Sequence, residues 1–310
     1  MNGSAYGSVS TAAKPNHDAG NNSSNADLLS RIRQALEVVH SPYSSNDSRK
    51  EASIFLEEVK SNEEAPYHGF TLARDQSQEA VVRHYSLSLL EHGIKRHWQN
   101  YSINQQVALR RWVLELSQNV SGRDPTYLQN KTAQLWVEVA KRSWGGEEWL
   151  DMDTLLVQLW TVSESLVHKS FVLTVLETLS EEVFGGDDAA VVLRETALKK
   201  ALLEIFTPIA VLDKHFPKRQ SAVALRFGEE GWLHRLGTFI NQALRNEVVN
   251  NEEYRACAVK TVAVYRSAVT WVGVWAIAET NVVEVLIRCL STSHVPLQMV
   301  RLIVVQSDLR

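Results

Sequence analysis

The stretch VVRHYSLSLLEHGIKRHW, residues 81–98, carries His84, Glu91, His92 and His97. Imidazoles and a carboxylate on one helix are the raw material of a zinc centre or of an acid–base pair. Spacing decides whether they can be used that way. Two ligands reach one ion from a helix when they stand three or four residues apart. His84 and His92 are eight apart in sequence, roughly 12 Å along the axis. His92 and His97 are five apart, which is expected to point them in different directions. The inverted His-x-x-Glu-His pattern would need a histidine where Ser88 stands. A solvated face of His84, Ser88, Glu91, His92 and Lys95 is therefore expected, opposite a broad apolar arc of Val82, Tyr85, Leu87, Leu89, Leu90, Ile94 and Trp98. Arg83 and His97 fall inside the apolar arc and are expected to bond to a neighbouring helix.

Other constellations reduce to structure in the same way. Gly145-Gly146 and Gly185-Gly186 lie between helical segments and lack the Gly-x-Gly-x-x-Gly or Gly-Lys-Ser/Thr context of a phosphate loop. Asp151, Asp153, Asp187 and Asp188 read as acids at helix starts, where they complement the macrodipole. Cys257 and Cys289 are too few for a disulfide framework or a four-cysteine zinc site, and read as small core residues. Arg110-Arg111, Lys141-Arg142, Lys199-Lys200 and Lys218-Arg219 read as solvated basic faces. No nucleophile–base pattern is present, so the reading is a non-enzyme without cofactor or metal.

The elements behind these residues are helices. The chain has 310 residues, a formal charge of −4 and 45% hydrophobic composition, which gives bulk electrostatics no reason to favour nucleic acid. Residues 1–26 are Asn-, Ser- and Gly-rich and are expected to be disordered. The most apolar run, AVTWVGVWAIA at 268–278, is shorter than the ~20 residues of a membrane span, so no membrane contact is expected and an intracellular setting is. From Asp27 onward amphipathic segments come in apparent pairs: 28–40 with 47–60, 78–98 with 103–120, 124–144 with 151–160. Asp27, Asp47, Asp124 and Asp153 stand where N-caps are expected, and Pro208 either separates two helices or kinks one. The recurrence suits an all-α HEAT-repeat solenoid of stacked antiparallel helix pairs. Trp98, Trp112, Trp136 and Trp144 fall on its apolar stripes.

Three separated segments carry a resemblance. Arg49, Glu51, Ala52, Phe55, Glu57 and Glu58 mark the first. Val82, Arg83, His84, Leu90, Glu91, His92, Lys95 and Trp98 mark the second, and Val139, Lys141, Arg142, Trp144, Trp149 and Leu155 the third. In order and spacing they resemble the first helical repeats of karyopherin-β nuclear transport receptors. The likeness is to the exportin-five type, which carries small double-stranded RNAs in some lineages and phosphoproteins in others. It holds from about Asp27 to about Leu156; beyond, the similarity is one of helical pattern. One departure stands out. The family has Trp-Pro twice in the turn of the third repeat, and this chain has Trp144-Gly145 and Trp149-Leu150.

The resemblance implies transport. Family members bind Ran-GTP through the inner helices of their N-terminal repeats, bind protein or structured RNA cargo with it, contact Phe-Gly nucleoporins and shuttle between nucleus and cytoplasm. It implies N-terminal exportin-like repeats over 27–160 and further HEAT-like repeats over 161–310. Ran would meet the second helices of the pairs, 47–60, 103–120 and 151–160. On 103–120, Gln105, Trp112, Val113 and Leu116 look packed, which leaves Arg111, Glu115 and Gln118 as the expected Ran-facing residues. An importin-type receptor shares this layout, and a helical scaffold unrelated to Ran is the other class. The closing stretch PLQMVRLIVVQSDLR is still apolar in pattern, which is the basis for expecting a truncated product.

Overall fold

The computed structural model describes residues 18–292 and 295–298, apart from 147, 163–164, 224 and 246–250. Most of the expected tail and of the closing apolar stretch lies outside the described residues. Among those described there is no strand. The fold is all-α and of HEAT type, in two compact units, residues 1–62 and 63–310.

The first unit is a helical hairpin, α1 (Asp18–His40) and α2 (Asn46–Lys60). Helix α1 begins ahead of Asp27, so the part of residues 1–26 that is described is helical. Leu56 and Val59 of α2 are buried, as are Ile32, Ala35 and Leu36 of α1. Arg31 lies over the Phe55 ring at 4.7 Å.

The second unit contains α3 (Ala65–Ala73), α4 (Ala80–His97) with a 3₁₀ turn at Trp98–Asn100, α5 (Ile103–Gln118), α6 (Thr126–Ser143), α7 (Met152–Thr161) and α8 (Leu166–Gly185). It continues with α9 (Ala189–Val192), α10 (Glu195–Phe206), α11 (Ile209–His215), α12 (Gly231–Ala243), α13 (Glu252–Ala268), α14 (Val274–Ala278), α15 (Val282–Leu290) and α16 (Val295–Gln298). Helices α4, α6, α8 and α13 pack side by side in that order, and α3, α5, α7 and α12 each pair with one of them. The apolar run at 268–278 is broken into the end of α13 and the start of α14 at Gly273.

This corrects the expected pairing. Helix α4 pairs with α3, α6 with α5 and α8 with α7, so the register is shifted by one helix from the pairs read in the sequence. The missing element is α3, nine residues of sequence APYHGFTLA, too short to show a period and carrying Pro66 and Gly69. Pro66 is tolerated because it sits in the first turn, where its absent N–H is not needed. Gly69 is required by close approach: a Cβ there would lie 2.5 Å from the Ser86 carbonyl oxygen of α4. Gly69→Ala is accordingly expected to lower stability by about 1–3 kcal/mol through overpacking, checked by urea unfolding. A neutral result would mean that α3 and α4 are not in contact at this point.

The helix caps differ from those expected. Asp27 lies inside α1, and Asp47 and Asp153 lie in the first turns of α2 and α7. Asp124 precedes Pro125 and binds Arg83 instead. The side chains that accept N-terminal amides are Ser45, Ser102, Ser165, Asp188 and Asn251. Ser102 and Gln105 form a capping box, so Gln105 is an exposed cap partner rather than a packed residue. Pro208 separates α10 from α11 and kinks neither.

Candidate functional site

The histidines of α4 do not converge on one point. The His84 ring meets Tyr127 edge-on at 5.4 Å. His92 and His97, expected to diverge, bring their rings to 5.6 Å because His97 has left helical geometry at φ −122° and ψ 4°. Arg83 does bond to neighbouring elements, donating to the Asp124 carboxylate at 2.5 Å and to the Ala73 carbonyl at 3.1 Å.

The polar arc of α4 is not a solvated face. Glu91 accepts from Lys131 of α6 and lies 3.1 Å from Lys95. Lys95 also reaches Glu138 of α6 at 3.3 Å. Glu138 is fully buried and accepts from Lys141 at 2.9 Å, Gln134 at 3.0 Å and Arg142 at 2.7 Å. Lys141, also buried, donates onward to Asp188 at 2.7 Å and to Glu182 of α8. A ladder of ion pairs therefore runs from α4 through α6 to α8. It corrects the reading of Lys141-Arg142 and of Glu91 as solvated charges.

The ladder is balanced, with Lys95, Lys131, Lys141 and Arg142 against Glu91, Glu138, Glu182 and Asp188. Burial pushes the Glu91 and Glu138 carboxyls up, but bonds from Lys131 and Lys95 on one, and from Lys141 with Lys95 and Arg142 on the other, hold both below the ordinary range. Burial alone would lower Lys141, and its three carboxylate partners raise it above its ordinary value. Glu138, Glu182 and Asp188 are also the group among the described residues whose oxygens lie close enough, within 4.8 Å of one another, to hold a cation. The Lys141 ammonium stands among them and makes that contact itself.

Asp153 stands in the first turn of α7, as expected of a helix-start acid, and is also buried, accepting from the Trp232 indole N–H at 2.9 Å and the Phe227 amide at 3.0 Å; burial raises its carboxyl above the ordinary range. Burial also raises both Cys257 and Cys289 to about 11, which keeps them as neutral core thiols.

The three expected contact residues share one face of α5. Arg111 and Gln118 are exposed, and Glu115 lies 3.9 Å from Arg74. The Gln118 carbonyl is 3.0 Å from His168 Nε2. Helix α5 is the first helix of its pair, not the second.

Residues 125–222 match the Exportin 1-like protein family. The chain is 34% identical to Protein MSN5 of Saccharomyces cerevisiae over 280 residues, 86% of this chain and 22% of that protein. It is 32% identical to Exportin-5 of Homo sapiens over 163 residues, 50% of this chain and 13% of that protein. With Exportin-5 of Dictyostelium discoideum it shares 25% identity over 191 residues, 61% of this chain and 16% of that protein.

The chain belongs to the exportins.

This exportin segment thus spans about a fifth or less of the length of the curated relatives it matches. Glu91, Lys95, Lys141 and Arg142, four of the residues that carried the resemblance, are rungs of the ladder between second helices. The Trp-Gly departure is resolved by backbone geometry. Gly145 has φ +77°, a conformation proline cannot adopt, so this exportin turns after Trp144 by a different route from a Trp-Pro turn. Trp149 nevertheless reaches the core and packs on Trp136 with ring centroids 5.1 Å apart. None of the described helices is long and apolar enough to cross a membrane.

Proposed function

We propose that this chain is the Ran-GTP-engaging part of a nuclear export receptor, which carries protein or structured RNA cargo, contacts Phe-Gly nucleoporins, and shuttles between nucleus and cytoplasm without breaking any bond itself. The relationship to MSN5 over most of the chain supports this reading most directly. Arg111, Glu115 and Gln118 are the proposed Ran contacts on α5. The observed pairing adds a competitor, because the second helices of the second unit are α4, α6 and α8, and Arg96 is an exposed cation on α4. Cooperation between Ran and cargo would be a coupling free energy between two ligands that favour one state of the repeats.

The test is direct binding of the folded chain to Ran loaded with GTP or GDP. A preference for the GTP form is expected, with affinity reduced when Arg111, Glu115 and Gln118 are replaced together by alanine. If Arg96→Glu weakens binding and the triple variant does not, the contact face is that of α4. Equal binding to the two nucleotide forms would contradict the proposal.

A further inference from the structure

An open cleft of about 630 Å³ lies where the last turns of α8 meet the end of α13, a size within the range of about 300–1,000 Å³ typical of ligand sites. Glu181 and Glu182 line it from α8, and Arg266, Ser267 and Thr270 from α13 and the turn that follows. Ser180 lines it too. Its side chain has no exposed surface, and its hydroxyl has no hydrogen-bond partner among the described residues. A buried hydroxyl left unpaired is destabilising, and a polar ligand atom in the cleft would supply the missing bond.

The rest of the lining is short of donors. Glu181 is exposed, with no cation within ion-pair reach among the described residues. Glu177, one turn earlier on α8, meets Arg266 only at 3.9 Å, and that arginine is half-exposed. Burial, and then the neighbouring Glu181 charge, raise the Glu177 carboxyl above its ordinary range. Lys260 of α13 donates to the Ser170 and Thr174 hydroxyls, at 2.7 and 3.1 Å, and not to Glu177. The Thr270 hydroxyl spends its proton on the Ser267 carbonyl at 2.7 Å, which leaves its oxygen as an acceptor. The end of α8 adds the negative pole of a 20-residue helix. Glu182 does not count toward the surplus, because Lys141 and Gln134 already bond to it. Two carboxylates, Glu177 and Glu181, are thus left against one loosely held cation.

We propose that this cleft anchors an arginine side chain presented by a partner protein. The guanidinium pairs with Glu181 and Glu177 and donates to the Ser180 oxygen. Arginine suits the cleft better than lysine because the acceptors stand on two elements. A planar fork with five N–H groups meets several of them at once, whereas an ammonium is a compact and strongly hydrated point charge. Helices α8 and α13 pack directly on each other, so the acceptors are held in place before the ligand arrives. The site is separate from the α5 residues proposed to meet Ran, and its test does not involve Ran.

The probe is a fluorescein-labelled Gly-Ser peptide interrupted by arginines, titrated with the whole chain and followed by fluorescence anisotropy. Two control peptides carry lysine, or the neutral arginine analogue citrulline, at the same positions. The arginine peptide is expected to bind more tightly than either, and to be weakened by added salt and at least about tenfold by E177Q/E181Q. Thermal unfolding of that variant is expected to match the parent. Ser180→Ala is expected to weaken the probe without lowering stability in urea, since it deletes a hydroxyl that has no partner in the free chain. Glu58→Gln removes an exposed acid of the first unit and should leave binding unchanged, which separates the cleft from bulk charge. The proposal is overturned if the lysine or citrulline peptide binds as tightly as the arginine one. It is equally overturned if E177Q/E181Q and Ser180→Ala both bind the probe like the parent, or if Glu58→Gln weakens it as much as E177Q/E181Q does. Displacement of the probe by spermine at lower concentration than by unlabelled arginine peptide would also overturn it, and would make the cleft a polyamine site.

Discussion

Replacing Lys141 by methionine is expected to lower stability by about 3–5 kcal/mol, because it removes the cation from a buried cluster and leaves the carboxylates facing one another. Methionine keeps most of the stem volume, so the effect isolates the charge. Glu138 would retain Arg142, Gln134 and Lys95, whereas Glu182 and Asp188 would lose their bonds to the ammonium. The double variant E138Q/K141M is expected to be less damaged than the sum of its parts, since it removes one of the carboxylates left facing one another as well as the cation between them. Urea unfolding at neutral pH measures both.

The pH profile supplies a check that a packing defect would not mimic. Glu138 and Asp188 have folded pKa values below their ordinary ones, so their stabilisation is present above the ordinary carboxylate range and lost as pH falls through the depressed values. Lys141 is raised, so its share is present below the ordinary lysine value and lost as pH rises through the raised one. In K141M the carboxylates are held less far below their ordinary range, so the acid-side loss should be smaller, and the alkaline loss should shrink as well. Superimposable acid limbs for parent and variant would show that the ladder is not electrostatically coupled.

The ladder also shows where a sequence stops being informative. The period of α4 was enough to separate its apolar arc from Glu91 and Lys95, and the tryptophans at 98, 136 and 144 are buried as their stripes require. A single helix cannot say whether its polar arc meets water or another polar arc. Glu91 reads as solvated because Lys131, forty residues away, is invisible to the period of α4. The pairing register failed for a related reason. It depends on α3, whose nine residues include a proline and a glycine and carry no repeat. The expected Ran-facing set rests on the same pairing, in which α5 is a second helix, whereas α5 is the first helix of its pair with α6. The family likeness was legible nonetheless, since it rests on residues such as Lys141 and Trp149 whose identity matters whichever face they occupy. The cleft between α8 and α13 offered no signal in sequence: its walls are joined by contacts such as Arg266 to Glu177, set by tertiary structure alone.

Trp136→Ala is expected to cost about 3–5 kcal/mol, the range for deleting a large buried aromatic side chain. Trp136 has no exposed surface and stands in α6 between the rings of Trp149, at 5.1 Å, and Phe171 of α8, at 6.1 Å. Alanine would open a cavity at the junction of α6, α8 and the turn after Trp144. Trp136→Phe should behave differently. The indole N–H of Trp136 is buried and has no hydrogen-bond partner among the described residues, so phenylalanine removes a donor whose burial is uncompensated there while keeping an aromatic face for Trp149 and Phe171. Its loss is therefore expected to be well under half that of alanine, measured by urea unfolding with an unchanged denaturant slope. If phenylalanine were as damaging as alanine, the N–H would have to be making a bond, and the buried aromatic stack would owe its stability to that bond as well as to ring packing. The comparison bears on the turn as well. Trp149 reaches Trp136 across a bend that uses Gly145 at positive φ, so a Trp136→Ala cavity should loosen the stretch from Trp144 to Trp149 first, read as faster amide exchange there than in α4. Uniform loss of protection across α4, α6 and α8 would instead mean that the ion-pair ladder and the aromatic stack unfold as one cooperative unit.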